Sequence, residues 1–395
     1  MDEAAELAEL TERLVAIPSH EDETAAGDAI EEWLRAETAA RVERDAVGNV
    51  IAYKGSTGVP DAAADADTVD DTGADTATDA GTATLALVGH HDVVPPAERQ
   101  TSGEGNEGEY VVERRDGRIY GRGAADMKGA VAACMLAFRD AEPPAGRELA
   151  FASFVGEEVG GTGARHAIDE GFDPDRAIVA EGSTGYSKPG VTDVVVAHKG
   201  RRASTLVARG TAAHASEPAL GENAIYRASD AIDVLRGLDV PEATVFGETV
   251  AGSLAVTIVE GGETWNVIPE RCEVTIDERT VPGDRADIGR AADAVAGVEW
   301  TVDQDLPPMG CEDDAFAAEA LAVARDVHDE LGLGEPEHVT KPHATDAGWL
   351  AAAGTECLVC GASESGEAHT DAESVGIDVL DRCYRIYKGV GERAF

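Results

Sequence analysis

In 395 residues, Asp and Glu number 77 against 32 Lys and Arg, a formal charge of -45 at pH 7. A field of that sign repels nucleic acid and anionic membranes, so neither is expected as a partner, and the length suits two domains with separate cores. Arginine outnumbers lysine and small residues fill much of the chain, a composition that reads as adaptation to molar salt, with loss of the fold expected in dilute buffer. The six cysteines are scattered, and Cys357 and Cys360 form one CxxC without a second pair, too few thiolates for a zinc ribbon. No basic, apolar leader precedes the first helix and no apolar run is long enough to span a membrane, so a reducing cytoplasm is expected.

Taken in order, residues 3–16 place Leu7, Leu10, Leu14 and Val15 at helical spacing before Pro18 stops the helix. A second helix is expected over 24–40 and a short strand over 49–53. Residues 56–84 hold Asp, Ala, Thr and Gly with almost no large apolar side chain. They read as a disordered acidic insertion whose deletion leaves activity largely intact. The run LALVGHHDVVP, 85–95, reads as a buried strand that delivers His90, His91 and Asp92 to its carboxyl end. A hairpin strand over 110–118 ends in a DG turn. Glycines 121 and 123 lead to Asp126 and a helix over 127–141; a strand over 149–155 runs into Gly156-Glu157-Glu158; another over 177–180 ends in Glu181.

At Asp193 the texture changes to alternating strands over 194–197, 202–209, 253–260, 272–280 and 298–303, separated by helices near 224–235 and 286–295. That order predicts a small α+β domain over 193–304, inserted between a first domain part at 1–192 and a second at 305–395. The last part returns to helices over 315–330 and 349–353, a strand over 356–359 and a helix over 374–389.

Three successive strands thus discharge acids or imidazoles at one end, which is where open α/β sheets bind ligands. The candidate set is His90, Asp92, Asp126, Glu157, Glu158, Glu181 and His369, imidazole and carboxylate without thiolate, a donor mixture suited to zinc, cobalt or manganese. A carboxylate shared by two ions explains one acid more than a single zinc needs. Of the adjacent pair Glu157 and Glu158, one can ligate while the other takes a proton from water, and Asp92 suits orientation of the His90 ring. His91, His166, His328, His338 and His343 read as structural, with a place in the cleft lining as the alternative for His343 beside Thr345 and Asp346. Absence of GxGxxG and P-loop patterns excludes the common nucleotide sites.

Four blocks, GHHDVVP, GRGAADMKG, GEEVGGTGA and AHTDAESV, resemble in content and order the M20 metallopeptidase group, which includes acetylornithine deacetylase, succinyl-diaminopimelate desuccinylase, aminoacylases and carboxypeptidase-like enzymes. The resemblance implies a zinc-exopeptidase-like α/β catalytic domain with a mixed sheet and an inserted ferredoxin-like α+β lid that also makes a homodimer. It implies two divalent ions, with His90 and Glu181 on one, Glu158 and His369 on the other, Asp126 bridging, Asp92 behind His90, and Glu157 as general base. His214, in GTAAHASEP, matches a lid histidine that in dimeric relatives reaches the neighbouring active site. Asn266, in NVIPERCEVTIDER, resembles a lid asparagine that holds substrate, and Arg279 is placed to clamp its carboxylate.

The implied reaction is hydrolysis of an N-acyl amino acid or short N-blocked peptide, with acetylornithine or succinyl-diaminopimelate preferred. A dipeptidase, carboxypeptidase or aminoacylase is the alternative, and a catalytically silent metal-dependent binding protein the non-enzyme alternative. Two departures bear on the acyl group. Glu181 precedes Gly182-Ser183 where biosynthetic members commonly have Pro-Thr, and the segment CGASESGE, 360–367, is unusually acidic.

Overall fold

The computed structural model describes residues 3–55, 83–102 and 109–393. Its Cα packing forms two units: Met1–Asp193, Ala318–Pro336 and Val359–Phe395 in one, Val194–Ala317 and Glu337–Leu358 in the other. Residues 305–317 and 337–358 thus group with the second unit, beyond the 193–304 span expected from sequence. Nearly all of the acidic stretch lies outside the described residues; its last two, Ala83 and Thr84, open a strand.

In the first unit a mixed sheet runs in the order Arg41–Arg44, Val50–Gly55, Arg147–Phe154, Ala83–His90, Arg176–Val179. The first two pairings are antiparallel, whereas Ala83–His90 lies parallel to both of its neighbours. A strand covered on both faces needs continuous apolar sequence, and Leu85 to Val88 are buried accordingly. The Gly129–Asp140 helix is buried from Gly129 to Phe138, and Phe138 meets Phe151 of the sheet at a ring separation of 6.1 Å. Each such side chain, fully buried, contributes about 1.5–3 kcal/mol.

Several expected elements are corrected. The second helix ends at Glu37, which frees Arg41–Arg44 to pair as an edge strand. The helix expected from Met127 begins at Gly129, because Asp126 and Met127 hold non-helical backbone angles and present the Asp126 side chain at the sheet edge. Ser374–Gly376, expected as helix, is a strand paired with Arg118–Tyr120 ahead of the Ile377–Gly391 helix. Three residues of strand here leave the backbone groups of Arg118–Tyr120 a partner that a helix would deny them.

The second unit contains a four-stranded antiparallel sheet ordered Ser253–Gly261, Arg271–Arg279, Arg201–Arg209, Val298–Leu306. Helices Ala224–Arg236 and Gly289–Ala294 supply Ala228, Leu235 and Ala291 to one core with Leu206, Val274 and Ile276 of the strands. The strand-helix-strand-strand-helix-strand order and this arrangement are ferredoxin-like. No helix of the described residues is long and apolar enough to cross a membrane.

Candidate metal centre

Register brings the site together. His90 and Phe154 close their parallel strands side by side, and the His91 amide donates to the Phe154 carbonyl at 3.0 Å. On the other flank the Ala180 amide donates to the Val88 carbonyl at 2.8 Å, so Glu181 emerges beside His90. The turn after Phe154 is braced by buried Asn49, whose Oδ1 accepts from the Val155 amide at 3.0 Å and whose Nδ2 donates to the Gly163 carbonyl at 2.9 Å. A Cβ on Gly163 would lie 2.3 Å from Asn49 Oδ1, so only glycine permits that approach.

Asp126 stands between two imidazole–carboxylate pairs. Its Oδ1 is 3.2 Å from His90 Nε2, which is also 3.4 Å from Glu181 Oε1. Its Oδ2 is 3.2 Å from His369 Nε2, itself 2.9 Å from Glu158 Oε1. Donor atoms of His90, Asp126 and Glu158 lie within 4.8 Å of one another, as do those of His90, Glu157 and Glu181. His369 is held with φ 61, a left-handed conformation that costs a non-glycine residue about 1–2 kcal/mol.

Asp92 works behind the ligand set. Its carboxylate lies 3.3 Å from His90 Nδ1, and its two oxygens accept from the Glu157 amide at 3.1 Å and the Glu158 amide at 3.0 Å. Asp92 therefore orients the ring, through its main-chain carbonyl at 3.0 Å from His90 Nδ1 as well as its carboxylate, and its carboxylate ties down the double-glutamate turn.

Protonation follows the concentration of acids. Burial is the largest influence on His90 and acts downward, yet its hydrogen bonds to Asp126, Asp92 and Glu181 carry the imidazole well above its ordinary value. Hydrogen bonds to Asp126 and Glu158 raise His369 to about 10. Burial acts upward on Asp126, but His369 and His90 hold it well below the carboxylate range; burial raises Glu158. The cluster thus demands positive charge at two places on either side of Asp126, and its nitrogen and oxygen donors fit two zinc, cobalt or manganese ions.

Other sequence candidates separate. His91 binds Ser153 Oγ at 2.8 Å, and burial lowers it to about 3, keeping it neutral. The six cysteines are buried thiols, which agrees with a packing role. Sequence reasoning missed Glu373 and Arg122, a buried ion pair under the Asp126 loop. The only sequence signal was a second acid in AHTDAESV, four residues past His369.

The second unit keeps its three candidates in two places. Ala213–His214 pairs with Val267–Ile268, and the Ala215 amide donates to the Asn266 carbonyl at 2.9 Å, so His214 and Asn266 are neighbours. His214 Nδ1 accepts from the Ser216 amide at 3.2 Å, which in the neutral ring puts the proton on Nε2. Arg279 lies at the far end of the Arg271–Arg279 strand, roughly 25 Å from its start at the usual rise per residue. There its Nε donates to Asp277 Oδ1 at 2.8 Å.

Imidazoles and carboxylates gathered in two clusters that meet at His90, with Asp126 facing both His90 and His369 at the carboxyl edge of a mixed α/β sheet, define a dinuclear metal-dependent hydrolase. The chain belongs to peptidase family M20/M25/M40, whose model matches residues 86–393. It is 30% identical over 330 residues to an acetylornithine deacetylase of Myxococcus xanthus, covering 77% of this chain and 78% of that one. Among solved structures it resembles aminopeptidase PepT of Bacillus cereus (TM-score 0.73, 18% identity, 98% and 97% of the two chains). It also resembles the M20 metallo-carboxypeptidase Sso-CP2 of Sulfolobus solfataricus (TM-score 0.67, 16% identity, 99% of each).

Proposed function

We propose that the chain hydrolyses the amide bond of an N-acyl amino acid, in the manner of acetylornithine deacetylase or succinyl-diaminopimelate desuccinylase. The observation that carries this reading is Asp126, whose two oxygens each face a different imidazole–glutamate pair. The Myxococcus xanthus relative supports the acyl-amino-acid class.

In this reading His90 and Glu181 hold one ion, His369 and Glu158 the other, and Asp126 both. When bound, the ions polarise the scissile carbonyl and lower the pKa of a water. Glu157 accepts the proton of the attacking water and passes it to the leaving nitrogen, so that water and amide become carboxylate and amine. Asp92 keeps His90 Nδ1 engaged, leaving Nε2 for the ion.

His214 donates from Nε2 to the developing oxyanion, Asn266 holds substrate, and Arg279 clamps the substrate carboxylate with its fork of donors. The separation of Arg279 from the His214–Asn266 pair along one strand supports distinct roles for them, with His214 reaching the neighbouring active site of a homodimer. The outer Ser253–Gly261 strand leaves Val256, Ile258 and Val259 36–52% exposed, a face suited to pairing across a twofold axis.

A dipeptidase, carboxypeptidase or aminoacylase is the second reading, and one observation favours it. Glu181 is followed by Gly182-Ser183 rather than Pro-Thr, and a Cβ at Gly182 would lie 2.7 Å from the Ser363 carbonyl oxygen, so glycine alone fits against that backbone. Hydrolysis of acetyl-, succinyl- and dipeptidyl-amino acids in molar salt with zinc, cobalt or manganese decides between them. Turnover of N-acetyl- or N-succinyl-amino acids is expected; turnover of dipeptides alone transfers the assignment, and inertness on all three favours a silent binding protein.

A further inference from the structure

We propose that Glu373 is the positioning residue for the Asp126 bridge, an inference that rests on the dinuclear reading. Glu373 is 1% exposed. Its Oε1 accepts from the Ala125 amide at 3.0 Å and from the Asp126 amide at 3.1 Å, while Oε2 accepts from Arg122 Nη1. Both amides belong to the segment where the backbone leaves helical geometry ahead of the Gly129–Asp140 helix. They need an acceptor from outside the helix.

The donor of that acceptor is what gives the contact a function. Glu373 lies four residues beyond His369, and the Glu373 carbonyl accepts from the Gly121 amide at 3.1 Å. The segment that supplies one terminal imidazole therefore also grips the backbone of the shared acid. Arg118 reinforces it, donating to Ser374 Oγ at 3.0 Å and to the Ser374 carbonyl at 2.9 Å. A shift of Glu373 relative to the Asp126 loop changes the angle at which Asp126 presents its two oxygens, one to His90 and one to His369. Binding of one ion tolerates that change, because either imidazole–glutamate pair keeps its own donors; simultaneous binding of two does not.

Arg122 makes a competing explanation available, namely that Glu373 only neutralises a buried guanidinium. Two substitutions separate the roles. Glu373→Gln retains the length and an acceptor oxygen for both amides but loses the charge. Glu373→Asp retains the charge but is one methylene too short to reach them in the present backbone. Cobalt titrations of the full chain at pH 8.5 in molar salt, read by the visible spectrum and by chelator competition, give the affinity of each ion; thermal melts of the metal-free proteins report the fold.

The expected result is that Glu373→Asp weakens the second cobalt ion by at least about tenfold and alters its spectrum, while Glu373→Gln stays within about threefold of wild type, as expected when hydrogen-bond reach decides. Equal losses in both variants, a larger loss in Glu373→Gln, no loss in either, or failure of either to melt cooperatively overturns the proposal. If wild type itself takes up only one ion, the dinuclear reading fails instead, and the two failures are distinct.

Discussion

The metal centre and the His214 end of the second unit carry candidate residues under opposite physical conditions. His90 is 1% exposed and is held through both ring nitrogens, with Asp92 and the ends of parallel strands dictating its direction. His214 is exposed, and its ring Nδ1 meets the hydroxyl and the amide of Ser216, two residues away. A buried ligand is positioned by many contacts, so its geometry is complete within one chain. An exposed donor gains its directional role only when something else approaches it. Under the proposed function, bond-breaking chemistry falls to the buried sheet edge, and His214 takes up its role only when substrate or a partner subunit approaches.

The sharpest way to break that contrast is Glu157→Gln. Hydrolysis is expected to fall by about 10²–10⁴-fold with metal content unchanged; retained turnover assigns the base elsewhere. Next is His214→Ala, for which a fall in kcat of about 10²–10³-fold is expected. Mixing the two inactive proteins under conditions that exchange subunits sharpens the comparison. If His214 serves the partner's site, each mixed dimer has one competent site, and random assortment restores about a quarter of wild-type activity. If it serves its own chain, mixing restores nothing.

Smaller effects follow. Arg279→Lys replaces a fork by a point charge, and KM is expected to rise by about tenfold with kcat little changed; a fall in kcat alone points to a role outside carboxylate binding. For metal uptake the sign follows from His369, raised to about 10 by Asp126 and Glu158. An ion needs the neutral ring, and the ring is protonated below that value. Apparent affinity therefore falls as pH falls, by about tenfold per unit for this one displaced proton. A pH-independent affinity between 7 and 9 excludes that competition.

Much of the centre was legible because strand ends leave a local signature. Apolar runs that stop at Gly-His-His-Asp, at Gly-Glu-Glu and at Glu181 state both a buried strand and the chemistry at its edge. Asp126 was legible from its flanking glycines, although its non-helical backbone was not, since Met127, Lys128 and the alanine-rich run from Ala130 favour helix. Ser374–Gly376 became a strand because Arg118–Tyr120 lies alongside it, and no local period announces a partner so far away. Glu373 carried only the faint signal of a second acid after His369: in a chain with 77 acids, one more carboxylate is conspicuous only when two backbone amides turn out to need it.

By itself the sequence determined the donor types, the alternation that yields two kinds of sheet, and the positions where apolar runs end, since these follow from side-chain chemistry and short-range periodicity. Tertiary structure alone decided that Asp126 divides its oxygens between two imidazoles, that Glu373 holds its backbone, and that Arg279 stands at the far end of a strand from Asn266. Those are facts of register and long-range closure, fixed only when distant strands share hydrogen bonds and the buried groups between them must all be satisfied.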